Sequence, residues 1–215
     1  MNNVETVIEK IREAFADSNY PGDPYLQGSR EGCEPFDEVG PFVGKKDWTI
    51  LDPDFLDSHA GALSFFSEAG FRFFLPAYLI ADLRGQLKVA EPVFHLTSGF
   101  YELQVEIQKK NRLFVIKSGK SAFINPLRYG AMTFYDYACY RLSVFAREES
   151  SAIVDYLRYK RDSEESELER DRIDAALESF WIERAVSAPS IKELKEHLIE
   201  KDQFLAAAVD DGKEL

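Results

Sequence analysis

The sequence predicts a mainly α-helical single domain, residues 1–215, built around a buried central helix over 67–84 with a small antiparallel β element near 100–124. Three observations lead there. Leu63 to Arg84 reads LSFFSEAGFRFFLPAYLIADLR and is the most apolar stretch of the chain. Helical periodicity with capping residues recurs on both sides of it. Only between residues 99 and 125 does the period change to strict alternation.

Composition bounds the rest. The chain has 215 residues, 45% hydrophobic and 13% aromatic with seventeen Phe, ample for one large core. A net charge of −12 argues against nucleic acid and anionic membranes as partners and suits a basic protein partner. The opening MNNVETVIEKIREAF reads as an amphipathic helix, not a leader. Cys33 and Cys139 are far apart and form no CxxC, so two free thiols in a cytoplasmic protein are expected.

In chain order, Val4, Val7, Ile8, Ile11 and Phe15 recur at helical spacing behind Asn2 or Asn3, giving a first helix near 3–16. DSNYPGDPYLQGSREGC is a long irregular loop. Glu34 to Val43 is expected as a short helix limited by Pro41, with Phe36, Val39 and Phe42 inward. Asp52-Pro53-Asp54 starts a helix: a capping Asp, Pro at the first helical position, and an acid near the positive end. Phe55, His59, Ala62, Leu63 and Phe66 would share one face of that helix, which runs into Ser67.

Ser67 caps the central helix, Glu68 falls in its first turn and Gly85 follows its end. Phe71, Phe74, Leu75, Tyr78 and Leu79 form one face; Phe73, Ala77, Ile80 and Ala81 cover the other. A helix apolar nearly all round is a buried one, and with Arg72 near its middle it is too short to span a membrane. Tyr101, Leu103, Val105 and Ile107 alternate with Glu102, Gln104, Glu106 and Gln108, predicting a two- or three-stranded meander through Leu113–Lys117 and Ala122–Ile124. Further helices are expected over 133–143, 148–161 and 164–186. An additional C-terminal helix over 189–210 begins at the capping box Ser190–Glu193.

YPGD at 20–23, Gly44-Lys45 with Trp48, LSFFSEAGFRFFLPAYL at 63–79, SVFAREESSAIVDYLRY at 143–159 and FWIER at 180–184 together resemble an uncharacterised bacterial family of cytosolic proteins, known only as a domain of unknown function. The likeness covers roughly residues 4–84 and 140–184. It departs at the longer segment 99–125, at the helix after Pro189, and at Ala146-Arg147, where the family pattern has Thr-Pro. The resemblance implies a mostly helical fold with no established activity and supplies no catalytic residue.

Motifs for chemistry are sparse. SGKS at 118–121 lacks the upstream Gly of a phosphate loop, since Phe114 occupies that position, and reads as a turn. No HxxxH, HExxH or paired Cys/His spacing points to zinc, and no cofactor or metal is expected. Cys139 would need His59 or His95 as a base to act as a nucleophile; a buried Cys is commonly a small hydrophobe. The charged run RDSEESELERDR reads as a solvated helix start with Arg170–Asp174 at i, i+4.

Arg72 stands out because Pro76 removes the N–H that would bond its carbonyl. A buried charge needs a partner first, so a structural ion pair with a neighbouring helix is the favoured reading. The leading functional expectation is a non-enzymatic protein-interaction protein, immunity- or adaptor-like, with an acidic surface, monomeric or homodimeric through the hairpin. The alternative is an enzyme or small-ligand binder whose pocket gathers Trp48, His59, Arg72 and Tyr78.

Overall fold

The structure, a computed structural model, describes residues 3–109 and 112–211. It is mainly α with one two-stranded antiparallel sheet. Helix α1 (Val4–Phe15) is capped by Asn3, whose side chain accepts from the Glu5 N–H, and buries Val7, Ile8, Ile11 and Phe15. After the loop come α2 (Glu34–Val39), α3 (Pro53–Ser58) and the single turn α4 (Ala62–Phe65). Asp52 caps α3 through the Asp54 N–H, with Pro53 at the first helical position.

Central helix α5 (Glu68–Leu83) starts at Ser67, which accepts from the Gly70 N–H, and buries Phe71, Phe73, Phe74, Leu75, Tyr78 and Leu79 among others. It is the buried core helix that its apolar circumference demands. Helix α6 (Pro92–Thr97) follows, then strands β1 (Glu102–Lys109) and β2 (Arg112–Gly119). A single turn α7 (Pro126–Tyr129) leads to α8 (Phe134–Leu142), α9 (Arg147–Ser163) and α10 (Glu167–Ala176). A π-turn over Leu177–Trp181 joins α10 to α11 (Ile182–Ser187), and α12 (Ile191–Asp211) closes the described chain. Helix α9 packs against α1 and α11.

Of the two alternatives for the β element, the two-stranded one is present among the described residues, and Phe123 makes only an isolated bridge to Thr133. Four expectations need correction. Phe36 is exposed, because α2 turns Pro35 inward in its place, while Val39 and Phe42 are buried as expected. The expected continuous helix from 53 to Ser67 breaks at His59, which leaves helical geometry at φ −121°, ψ 44°. The expected helix over 164–186 is interrupted by the π-turn, which aims the Trp181 indole N–H at the Leu96 carbonyl (2.8 Å). Asp174 pairs with Arg161 (2.7 Å), not with Arg170.

The loop before α2 is held in place. The Gly28 N–H donates to the Phe65 carbonyl (2.8 Å) and the Ser67 N–H to that of Leu26 (2.7 Å), so the loop crosses the start of α5. Gly70 permits the crossing: a Cβ there would lie 2.7 Å from the Leu26 carbonyl oxygen.

Candidate functional site

The four residues singled out by sequence are distributed around α5. Tyr78 and His59 are brought together: where α3 ends, the buried phenol donates to the His59 carbonyl at 3.0 Å, which also accepts the Ala62 N–H at 3.1 Å. The His59 ring packs edge-on against Phe55 and Phe42. Burial pushes the Tyr78 phenol far above its ordinary range, and the Glu38 and Asp57 carboxylates push the same way. That phenol is a fixed hydrogen-bond donor at any physiological pH. Asp57 is held down by three backbone N–H groups, those of Ala90, Val89 and Lys88 at 2.8–2.9 Å, which pin the segment between α5 and α6.

Arg72 is committed elsewhere. Its Nε lies 2.9 and 3.0 Å from the two carboxylate oxygens of Glu149, a side chain only 1% exposed. Glu149 also accepts the Ala146 N–H (2.8 Å), so one carboxylate ties α5 to the first turn of α9. The favoured ion pair is therefore present, and the same carboxylate caps the start of α9 by accepting the Ala146 N–H. Trp48 is buried in a 3₁₀ turn against α5 and lines a pocket of about 200 Å³ with Arg12, Ala77, Ile80 and Arg84. His59, Arg72 and Tyr78 do not line the pocket that Trp48 lines.

Residues of the YPGD and Gly44 stretches do converge. The Tyr20 hydroxyl donates to Asp23, and the Gly44 N–H reaches both, at 3.1 and 3.0 Å. Gly44 sits at φ +77°, a conformation that favours glycine. The Tyr20 ring meets Phe73 and Phe74 edge-on. YPGD, Gly44 and FRFF form a clasp on α5.

Other groups are quiet chemically. Burial pushes the Cys139 thiol up, opposite to an activated nucleophile. Burial, with Arg141 nearby, pushes His95 down to about 4. Arg141 stacks over Phe71 at 4.6 Å and donates to the Leu63 carbonyl. Among the described residues there is no group of three or more His, Cys, Asp or Glu able to hold a metal ion.

Two adjoining pockets lie away from the residues that sequence reasoning selected. One of about 220 Å³ runs between Phe94, Thr97, Tyr101, Leu103 and Phe134. The other, of about 460 Å³, is lined by Asp82, Lys88, Glu91, Lys160 and Glu164; both reach Phe94, Glu169 and Arg172. Their main charges are already paired: Lys160 and the buried Tyr156 hydroxyl both donate to Asp82, and Arg172 to Glu169. Helix α6 forms the shared wall, and its start at Glu91-Pro92 was a readable signal that the sequence reading passed over.

The hairpin is the other distinctive surface. Its register pairs Glu102 with Gly119 and Lys109 with Arg112, and the outer edge of each strand is unpaired among the described residues. Ile107 is 42% exposed and Leu113 is 62% exposed, one on each face of the ladder. Just beyond the base, Phe123 is exposed and Leu127 is 100% exposed.

No protein-family model matches the chain, and no curated protein or solved structure matches it. No described helix is long and apolar enough to cross a membrane.

Proposed function

We propose that this protein works by binding another protein rather than by catalysis, with the hairpin as its principal docking element. One observation carries the reading: an eight-pair β ladder with both outer edges open and apolar side chains exposed on both faces, standing on a body that supplies its own core. Open edges offer backbone hydrogen bonds to an incoming strand or loop, and Ile107 and Leu113 offer apolar area. The acidic body favours a basic surface on the partner and would steer its approach.

The test is site-specific photocrosslinking in the native host, with the reactive group placed at Leu113 or, as control, at the exposed Ile50 of the body. Discrete adducts from Leu113 and none from Ile50 are expected. Absence of arm-specific adducts would remove the reading.

A second reading is favoured by the adjoining pockets of about 220 and 460 Å³: a small polar ligand bound between α6 and α10. It predicts that Phe94→Ala abolishes a ligand-induced rise in Tm seen with the native chain in a metabolite screen. No rise with any compound would discard it.

A further inference from the structure

The charge of this chain is segregated. Residues 99–128 carry six cations (Lys109, Lys110, Arg112, Lys117, Lys120 and Arg128) against two carboxylates (Glu102 and Glu106), a net of +4. The whole chain stands at −12, so everything outside that segment stands at −16. The basic segment is the hairpin and its base, the part of the molecule with open strand edges. Arg128 is answered within the chain by Glu31 (2.6 Å). Arg112 and Lys120 are exposed and, among the described residues, have no carboxylate partner.

Geometry sets Arg112 at the far end of the ladder and Lys120 at its base. The ladder leaves the body at Tyr101, whose carbonyl accepts the Lys120 N–H (3.1 Å), and runs eight residue pairs outward. At about 3.4 Å per residue its tip stands roughly 27 Å from the base. That is about three Debye lengths at physiological salt, so carboxylates at the base do little to neutralise Arg112. The base is braced by glycines. Gly99, at φ +94°, lets the Phe134 carbonyl approach to 2.6 Å of where a Cβ would sit. Gly119, at φ +111°, leaves even less room beside the Tyr101 carbonyl.

From this we infer that two copies of the chain associate by exchanging hairpins, each basic arm lying on the acidic body of the other. The inference rests on the protein-binding reading above and names a partner for the arm. Charge complementarity selects this arrangement among the possible self-contacts. Edge-to-edge pairing of two hairpins would set one basic surface against another, whereas arm against body sets a basic surface against an acidic one. Reciprocal exchange also closes with two-fold symmetry, and so stops at two copies instead of growing a filament. The exposed Ile107 and Leu113 then supply the apolar part of the contact, and the open edges its backbone hydrogen bonds.

Sedimentation velocity at a series of salt concentrations tests this on the full chain. A dimer is expected at about 50 mM salt, with association at least tenfold weaker at about 500 mM, because the contact is between opposite charges. The double variant Arg112→Glu with Lys120→Glu should be monomeric at both, with unchanged circular dichroism and Tm. Leu113→Ser, which leaves the charge alone, should weaken the dimer at both salts without altering its salt dependence. A chain monomeric at low salt would overturn the inference, and so would a dimer that strengthens with salt or ignores the charge reversal. Should the monomeric chain bind a labelled DNA or RNA duplex through Arg112 and Lys120, the arm's partner is a polyanion and the dimer is refuted. Arm-specific photocrosslinks to a different protein, with a monomer at every salt, would refute the dimer while leaving the protein-binding reading standing.

Discussion

Helix α5 and the hairpin are close to opposites in how their groups are satisfied. Around α5, chain-distant partners answer the polar groups: Arg72 meets Glu149, Tyr78 meets the His59 carbonyl, and Tyr156 and Lys160 meet Asp82. Its Phe rings interlock, with Phe74 contacting Phe42, Phe66 and Phe73 at 4.9–5.1 Å between centroids. The hairpin is paired chiefly with itself, shows apolar side chains to water and carries charge of the opposite sign to the body. The difference teaches where to look for stability and where for recognition. Buried, mutually satisfied groups hold the fold; open edges and exposed apolar residues cost the free monomer and gain only in a complex.

That contrast can be broken at either end, and the largest effects belong to the α5 side. Phe74→Ala removes a fully buried ring from the aromatic cluster and should cost about 3–5 kcal/mol in urea unfolding. A loss under about 1 kcal/mol would mean that the cluster is not the core. Arg72→Met leaves the Glu149 carboxylate buried with only the Ala146 N–H, and should cost about 3 kcal/mol. Glu149→Gln in the Arg72→Met background should recover part of that loss; no recovery would argue against an uncompensated charge as its cause.

His95 sharpens the comparison through pH. Burial holds its folded pKa at about 4, against about 6.5 in the unfolded chain. Between those values the unfolded chain binds the proton and the folded chain does not. The stability is therefore complete above about pH 6.5 and is lost as pH falls toward 4. The loss from about pH 7.5 to about pH 5 should be near 2 kcal/mol, and His95→Gln should lack it. Equal losses in the two proteins would assign the effect to other groups. The smallest effect belongs to the arm: Leu113→Asp should change unfolding free energy by less than about 0.5 kcal/mol. A loss several times larger would show that the arm packs on the body.

Much of this contrast was readable from residues alone, because its causes are local. Ser67 and Gly85 bracket α5, Asp52-Pro53 starts α3, and Ser190 and Glu193 exchange the two hydrogen bonds of a capping box at α12. Strict alternation located the first strand, and the turn expected after it located the second. SGKS proved to be the end of β2 and the turn after it, as the missing glycine indicated.

What escaped the reading depends on distance. Arg72 declared its need for a partner, but Glu149 lies 77 positions away and no local pattern points to it. The trio of N–H groups around Asp57 and the bond between Tyr78 and His59 are likewise products of tertiary packing. His59 was placed mid-helix because Phe55 and Leu63 have the right spacing, yet spacing cannot register the break at 59–61. There Gly61 lies against the Glu38 side chain, closer than a Cβ would allow. The pockets beside α6 were invisible for the same reason: their walls come from α5, α6, α9, α10 and the hairpin base.

The central claim is that the body is complete without the arm and the arm exists for a partner. Replacing Glu102–Gly119 by a two-residue turn tests it directly, since Tyr101 and Lys120 already adjoin across the base. Scanning calorimetry with light scattering on that chain should show one cooperative transition, a Tm within about 4 °C of the native value, and a monomer at low salt. A collapse of Tm by about 15 °C or more, or a dimer that persists without the arm, would contradict it.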